Sequence, residues 1–158
     1  MTIVEYADFL CPYCRRADTT LQILRREHPN DIAVVYRHFP IHKAGVPAAE
    51  AAECAGQEGQ FQRMHDRLFS EQDSIGVKSW VQFAVQSGVK DTVRFVQCLN
   101  DPRTRAIVLR DSSSGKQLGV VATPTFLVNN LRIVGFGGPA QLADAVSQAW
   151  SQAGEHQR

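Results

Sequence analysis

The chain has 158 residues with 17 Lys+Arg against 16 Asp+Glu, the size of one domain with room for a real core. Its formal net charge of +1 provides no global field to collect nucleic acid or an anionic membrane surface. No apolar run approaches the roughly 20 residues that cross a bilayer, and Cys11, Cys14, Cys54 and Cys98 are too sparse for a disulfide scaffold.

Thr2 to Phe9 (TIVEYADF) concentrates β-branched and aromatic residues in a short run, which predicts a buried strand. From Pro12 to about His28 the apolar positions, Leu21 and Leu24 among them, fall at helical spacing, and Pro29-Asn30 stops the pattern. Asp31 to Ile41 predicts a second strand ended by Pro40. Pro47 to about Leu118 is helical almost throughout, with breaks near Gly59, Gly76, Gly88 and Asn100-Asp101-Pro102. Thr123 to Asn130 and Leu131 to Phe136 predict two short strands joined at Asn129-Asn130, where Asn tolerates positive φ. A last helix starts near Pro139 and carries Leu142, Ala145, Val146 and Ala149 along one face. The order is β-α-β, a helical block, then β-β-α, with no repeat, low-complexity linker or second domain.

The first strand and helix meet at Cys11-Pro12-Tyr13-Cys14. A thiol at a helix N-terminus faces unpaired amide N–H groups, which favour the thiolate, the nucleophile of disulfide exchange. Pro12 suits the first helical turn, where its missing N–H would have had no partner anyway. Cys14 follows one turn on, close enough to bond to Cys11, and Arg15 and Arg16 add positive charge nearby. A metal knuckle would need a second closely spaced ligand pair. Cys54 and Cys98 are isolated, and His28, His38, His42, His65 and His156 form no partner motif. Two inert buried thiols are the other alternative, although a helix start after a buried strand is a poor place to hide them.

Strand, CPYC and helix together resemble the active site of the thioredoxin fold. Ala122 to Phe126 (ATPTF) is similar to that fold's second signature, a Thr-Pro whose proline is cis. Pro124 follows Cys14 by more than a hundred residues, too far for a minimal glutaredoxin, which also uses CPYC. A helical insert between the second and third strands resembles DsbA-like proteins. The stretches VEYADFLCPYC, AAECAGQEGQFQRMHDRLF and GVVATPTFLVN are similar to short bacterial members of that group.

The resemblance implies a single α/β domain over 1–158, with a thioredoxin core at 1–43 and 119–153 and a helical insert at 44–118. It implies Cys11 as attacking cysteine, Cys14 as resolving cysteine, Pro12 and Tyr13 as the loop between them, and Pro124 as the cis-proline facing the sulfurs. Thr123 resembles the position whose backbone pairs with a bound peptide. Glu5 matches a place where relatives bury an acid; buried, it would exchange protons with Cys14, and an outward-facing Glu5 is the alternative. Asp18 is expected in solvent, with tuning of the same site as the alternative. Some relatives carry a second disulfide in the insert, which makes Cys54–Cys98 a candidate pair or else two buried thiols.

The implied activity is protein thiol–disulfide exchange without metal or cofactor, with dithiol oxidation as the expected direction. Partners would be unfolded or cysteine-containing proteins and a re-oxidising redox protein, possible in a membrane; nucleic acid is not expected. A reductase, isomerase or glutathione-linked enzyme of the same fold, and a non-catalytic peptide-binding module, stay open. The N-terminal MTIVEYADF lacks the pattern of a signal peptide, so the expectation is a mature extracytoplasmic form, with a cytoplasmic protein open. Thioredoxin-like sheets usually begin with a further strand upstream, and its absence suggests a trimmed fold or a removed segment.

Overall fold

A computed structural model describes the backbone of residues 1–155 and the side chains of 1–152; His156 and the last two residues lie outside the described residues. The elements run β1 (Thr2–Ala7), α1 (Pro12–Glu27), β2 (Ala33–His38), α2 (Gly45–Gly56), α3 (Phe61–Ser70), a 3-10 turn (Gln72–Ser74), α4 (Trp80–Gln86), α5 (Thr92–Leu99), α6 (Pro102–Gln117), β3 (Thr125–Val128), β4 (Leu131–Val134) and α7 (Pro139–Glu155). The strands form one sheet in the order β2-β1-β3-β4, with β1 parallel to β2 and β3 antiparallel to both its neighbours. Among the described residues no helix is long and apolar enough to cross a membrane.

Each strand is shorter than the apolar run that predicts it. Phe9 continues the hydrophobic pattern of β1 but belongs to the turn after it, where it packs face to face with Tyr36 at 5.1 Å. Apolar character reflects burial, and a buried loop reads like a strand.

β1 is central and enclosed on both faces. Alternation puts Ile3, Glu5 and Ala7 on one face and Val4 and Tyr6 on the other. Ile3 packs with Ala17, Leu21 and Leu24 of α1 and Leu142, Val146 and Ala149 of α7. Tyr6 packs with Phe39 and Val120, against α6, where Gly115 lets the helix come close: a Cβ there would meet Tyr6 at 2.9 Å and Phe39 at 2.8 Å.

The insert is built from short capped helices. Ser79 and Gln82 form a capping box on α4, and Asp91 and Asp101 cap α5 and α6. Cys54 of α2 and Cys98 of α5 are joined by a disulfide. Thr104 lies beside it, its hydroxyl donating to the Cys98 carbonyl at 2.9 Å. β2 is tied to α6 through Asp111, which accepts from the Arg37 guanidinium at 3.0 Å and the His38 amide at 3.2 Å.

Candidate active site

Cys11 is the N-cap of α1, Pro12 occupies the first helical position, and the Cys11 amide donates to the Asp8 carbonyl at 3.0 Å. Cys14 is completely buried and Cys11 is only 3 % exposed. The sequence argument against hidden thiols is therefore corrected. Cys14 lies on the buried face of α1 with Ala17 and Leu21, and the segment before β3 meets the other sulfur, the Cys11 thiol donating to the Thr123 carbonyl at 3.4 Å. The Thr123–Pro124 peptide is cis. This segment is shaped by its own bonds: the Thr125 hydroxyl donates to the Ala122 carbonyl at 2.7 Å, and the Gly135 amide to the Pro124 carbonyl at 2.7 Å.

The two sulfurs are electrostatically unequal. A hydrogen bond from Cys14 is the largest effect on Cys11; donation by Thr123 and the amides of Cys14 and Tyr13 adds to it, and against burial they bring its pKa down to about 5. The buried Thr123 hydroxyl has no other partner, which leaves it available to the thiolate. Cys14 moves the opposite way, driven up chiefly by desolvation and then by its bond to Cys11. Arg15 and Arg16 do not take the part the sequence suggested. Arg15 is turned to Asp73 at 3.2 Å, and the Arg16 guanidinium lies 4.6 Å over the half-exposed Tyr13 ring. The low pKa rests on short-range donors, as expected for a sulfur at a helix start.

Glu5 points inward and is 1 % exposed, which resolves its two alternatives in favour of burial. It pairs across the sheet with Tyr36 on one side and Phe126 on the other, beneath α1. Burial, followed by the charges of Asp18 and Cys11, raises its pKa well above the carboxylate range, and its Oε1 has no hydrogen-bond partner. Asp18 corrects the expectation of a solvated residue: it is 7 % exposed, and burial raises its pKa. Its place in the buried stripe Cys14, Ala17, Asp18, Leu21 was visible in the sequence, since it follows Cys14 by four and precedes Leu21 by three.

Two further residues hold the loop and carry no local sequence signal. Asp8 is buried, and its carboxylate accepts from the amides of Leu10 (2.9 Å), Ile41 (2.8 Å) and His42 (2.8 Å) and from His42 Nδ1 (2.7 Å). Gln72, from the insert, donates through Nε2 to the carbonyls of Phe9 at 2.7 Å and Cys11 at 3.1 Å. Of the residues singled out by sequence, the fold gathers Glu5, Cys11, Pro12, Tyr13, Cys14, Thr123 and Pro124 around one helix start. Cys54 and Cys98 form the separate bond in the insert.

Comparison with known proteins agrees with this arrangement. The family model described as thioredoxin matches residues 1–148. The Na(+)/H(+) antiporter NhaA 3 of Salinispora tropica is 35% identical over 156 residues, covering 97% of this chain and 24% of the antiporter. The chain spans about a quarter of the length of the curated relatives it matches. Among solved structures, a thioredoxin-like oxidoreductase from Silicibacter pomeroyi DSS-3 superposes with a TM-score of 0.79 at 31% identity, over 95% of this chain and 86% of that one. Wolbachia pipientis alpha-DsbA1 superposes with a TM-score of 0.82 at 20% identity, over 99% of this chain and 89% of that one. With a helical insert between β2 and β3 and a Cys-Pro-Tyr-Cys helix start facing Thr123-Pro124, the chain belongs to the thioredoxin family and has its DsbA-like fold.

Proposed function

We propose that the protein is a thiol–disulfide oxidoreductase that passes the Cys11–Cys14 disulfide to cysteine-containing polypeptides. The observation that carries this reading is the inequality of the two sulfurs: Cys11 is held as a thiolate with a pKa of about 5, while Cys14 is buried and driven up. A substrate thiolate attacks Cys11 Sγ, forming a mixed disulfide and releasing Cys14 as thiolate. Cys14 takes a proton from the carboxyl of Glu5. A second substrate thiolate attacks the substrate sulfur of the mixed disulfide and expels Cys11 as a stable thiolate, so the substrate is oxidised and the enzyme dithiol reduced. Thr123 would present its backbone to an extended substrate chain, and Pro124, which has no N–H, brings no competing donor to the sulfurs.

A stable leaving thiolate favours the reduced enzyme, which supports dithiol oxidase as the direction. The Cys54–Cys98 disulfide supports an oxidising, extracytoplasmic setting, with a separate redox protein restoring Cys11–Cys14. The division into a core at 1–43 and 119–153 and an insert at 44–118 belongs to the same reading. Equilibration in glutathione buffers, followed by alkylation and mass measurement, tests it. The expected potential lies on the oxidising side of about −200 mV; a value at or below the glutathione poise would make the protein a reductase.

The antiporter match favours a second reading, in which this domain accompanies a membrane transporter and its dithiol registers redox state. Multiple turnovers on a dithiol peptide support the enzyme; a single oxidation per molecule, even with oxidant supplied, supports the sensor.

A further inference from the structure

Among the described residues, one group of three ligating side chains is close enough to share a metal ion. Asp18 of α1 and His65 and Asp66 of α3 each offer an atom that lies within 4.8 Å of the other two. The exchange chemistry above uses neither His65 nor Asp66. We propose that these three side chains bind a divalent transition-metal ion of the zinc class. The inference stands apart from the exchange reading, since none of the three ligands is a sulfur.

The donor set selects the ion. One imidazole with two carboxylates suits zinc and its neighbours, whereas calcium and magnesium take oxygen ligands alone. His65 Nδ1 and Asp66 Oδ1 are 3.0 Å apart. That is the separation of two adjacent ligands on one ion about 2.1 Å from each. Both carboxylates are also oriented from outside: the Gln22 amide donates to Asp18 Oδ2 at 2.9 Å and the Gln62 amide to Asp66 Oδ1 at 2.7 Å. Supporting hydrogen bonds of this kind fix a ligand while leaving it further lone pairs for the metal.

A separate observation points to an occupant. Asp18 and His65 line a cavity of about 150 Å³ whose wall also includes Glu5 and Tyr36. Glu5 is 1 % exposed, and its Oε1 and the Tyr36 hydroxyl are buried polar atoms without hydrogen-bond partners. Buried polar atoms need a partner. An ion with three protein ligands keeps an open position that carries water, and a bound water facing the cavity would supply a donor to Glu5 Oε1.

Access and charge agree with a cation. A groove of about 630 Å³ beside the cavity shares Gln22, Arg25 and Gln62 with it and reaches half-exposed Asp66, which gives an ion a way in from solvent. The carboxyls of Glu5, Asp18 and Asp66 outnumber the nearby cation Arg25, whose exposed guanidinium is directed to Gln62 at 3.5 Å. An ion held here would join α1, which carries both sulfurs, to α3 of the insert.

The test is equilibrium dialysis of oxidised full-length protein against zinc chloride at pH 7, with bound metal quantified. Closed disulfides, checked by alkylation and mass, keep sulfur from competing for the ion. The expected result is one zinc per chain, with affinity lowered about tenfold or more in His65→Phe and in Asp66→Asn and unchanged in His28→Gln. Asp66 is half-exposed, so its amide variant reports on the site even where His65→Phe does not fold. Zinc should also raise the melting temperature of wild type, and of neither site variant at the same concentration. Absence of stoichiometric binding, wild-type affinity in Asp66→Asn, or displacement of zinc by an excess of calcium would overturn the site.

Discussion

At the scale of single residues, the site separates two sulfurs that are three positions apart. The largest contribution to the low pKa of Cys11 is the bond from Cys14, so the rate of Cys11 alkylation in reduced protein should titrate with a midpoint near 5. In Cys14→Ala the midpoint should move upward toward 9. Glu5 carries the opposite linkage. Its folded pKa is raised above 4.5, so the neutral carboxyl adds stability fully below about 4.5, which is lost as pH rises through the folded value. Glu5→Gln should therefore melt above wild type at pH 9, with the gap closing toward pH 5 in thermal scans of the reduced protein. The sequence indicated the sulfurs and the proline, because each sits in a local motif, while for Glu5 it left a buried and an outward-facing side chain open. Asp8 was not legible, since its partners Ile41 and His42 lie more than thirty residues away and only the folded loop collects them.

At the scale of elements, β-branched and aromatic runs located the strands, and helical spacing, alanine content and the Gly and Pro breaks located the α-helices. Boundaries were less legible. Loop residues such as Phe9 and Phe39 are buried as deeply as strand residues, and composition does not distinguish them. Asp18 and His65 lie on apolar stripes, Cys14-Ala17-Asp18-Leu21 and Phe61-Met64-His65-Leu68. Charge alone suggested solvent for Asp18, where position on the helix decided otherwise. The Cys54–Cys98 bond joins α2 and α5 across a separation of 44 residues. Replacing both cysteines with Ala should cost about 2–4 kcal/mol, read as a lower urea midpoint, while the glutathione equilibrium of Cys11–Cys14 stays where it was. Alkylation without reductant should leave Cys54 and Cys98 unlabelled in native protein.

At the scale of the whole molecule, redox state and stability are one quantity seen from two sides. The Cys11 thiolate, depressed from 9.0 to about 5, adds stability to the reduced form that is complete above pH 9 and is lost as pH falls through 5. Reduced protein should thus melt higher than oxidised protein at pH 7, with the difference shrinking toward pH 5; calorimetry of both forms measures it. The overall architecture was legible because strand and helix order, with an insert too long for a minimal fold, leaves few topologies. The grip of the insert on the site was not, since it runs through Gln72 on a short turn with no pattern of its own. The Cys11 carbonyl held by that side chain also accepts the Arg15 amide at 3.1 Å, and Arg15 reaches back to the Ser70 carbonyl at 3.4 Å. The start of α1 and the turn after α3 are thereby coupled in series, which makes exposed Ser70 a place for a fluorophore that signals the state of the sulfurs without touching them.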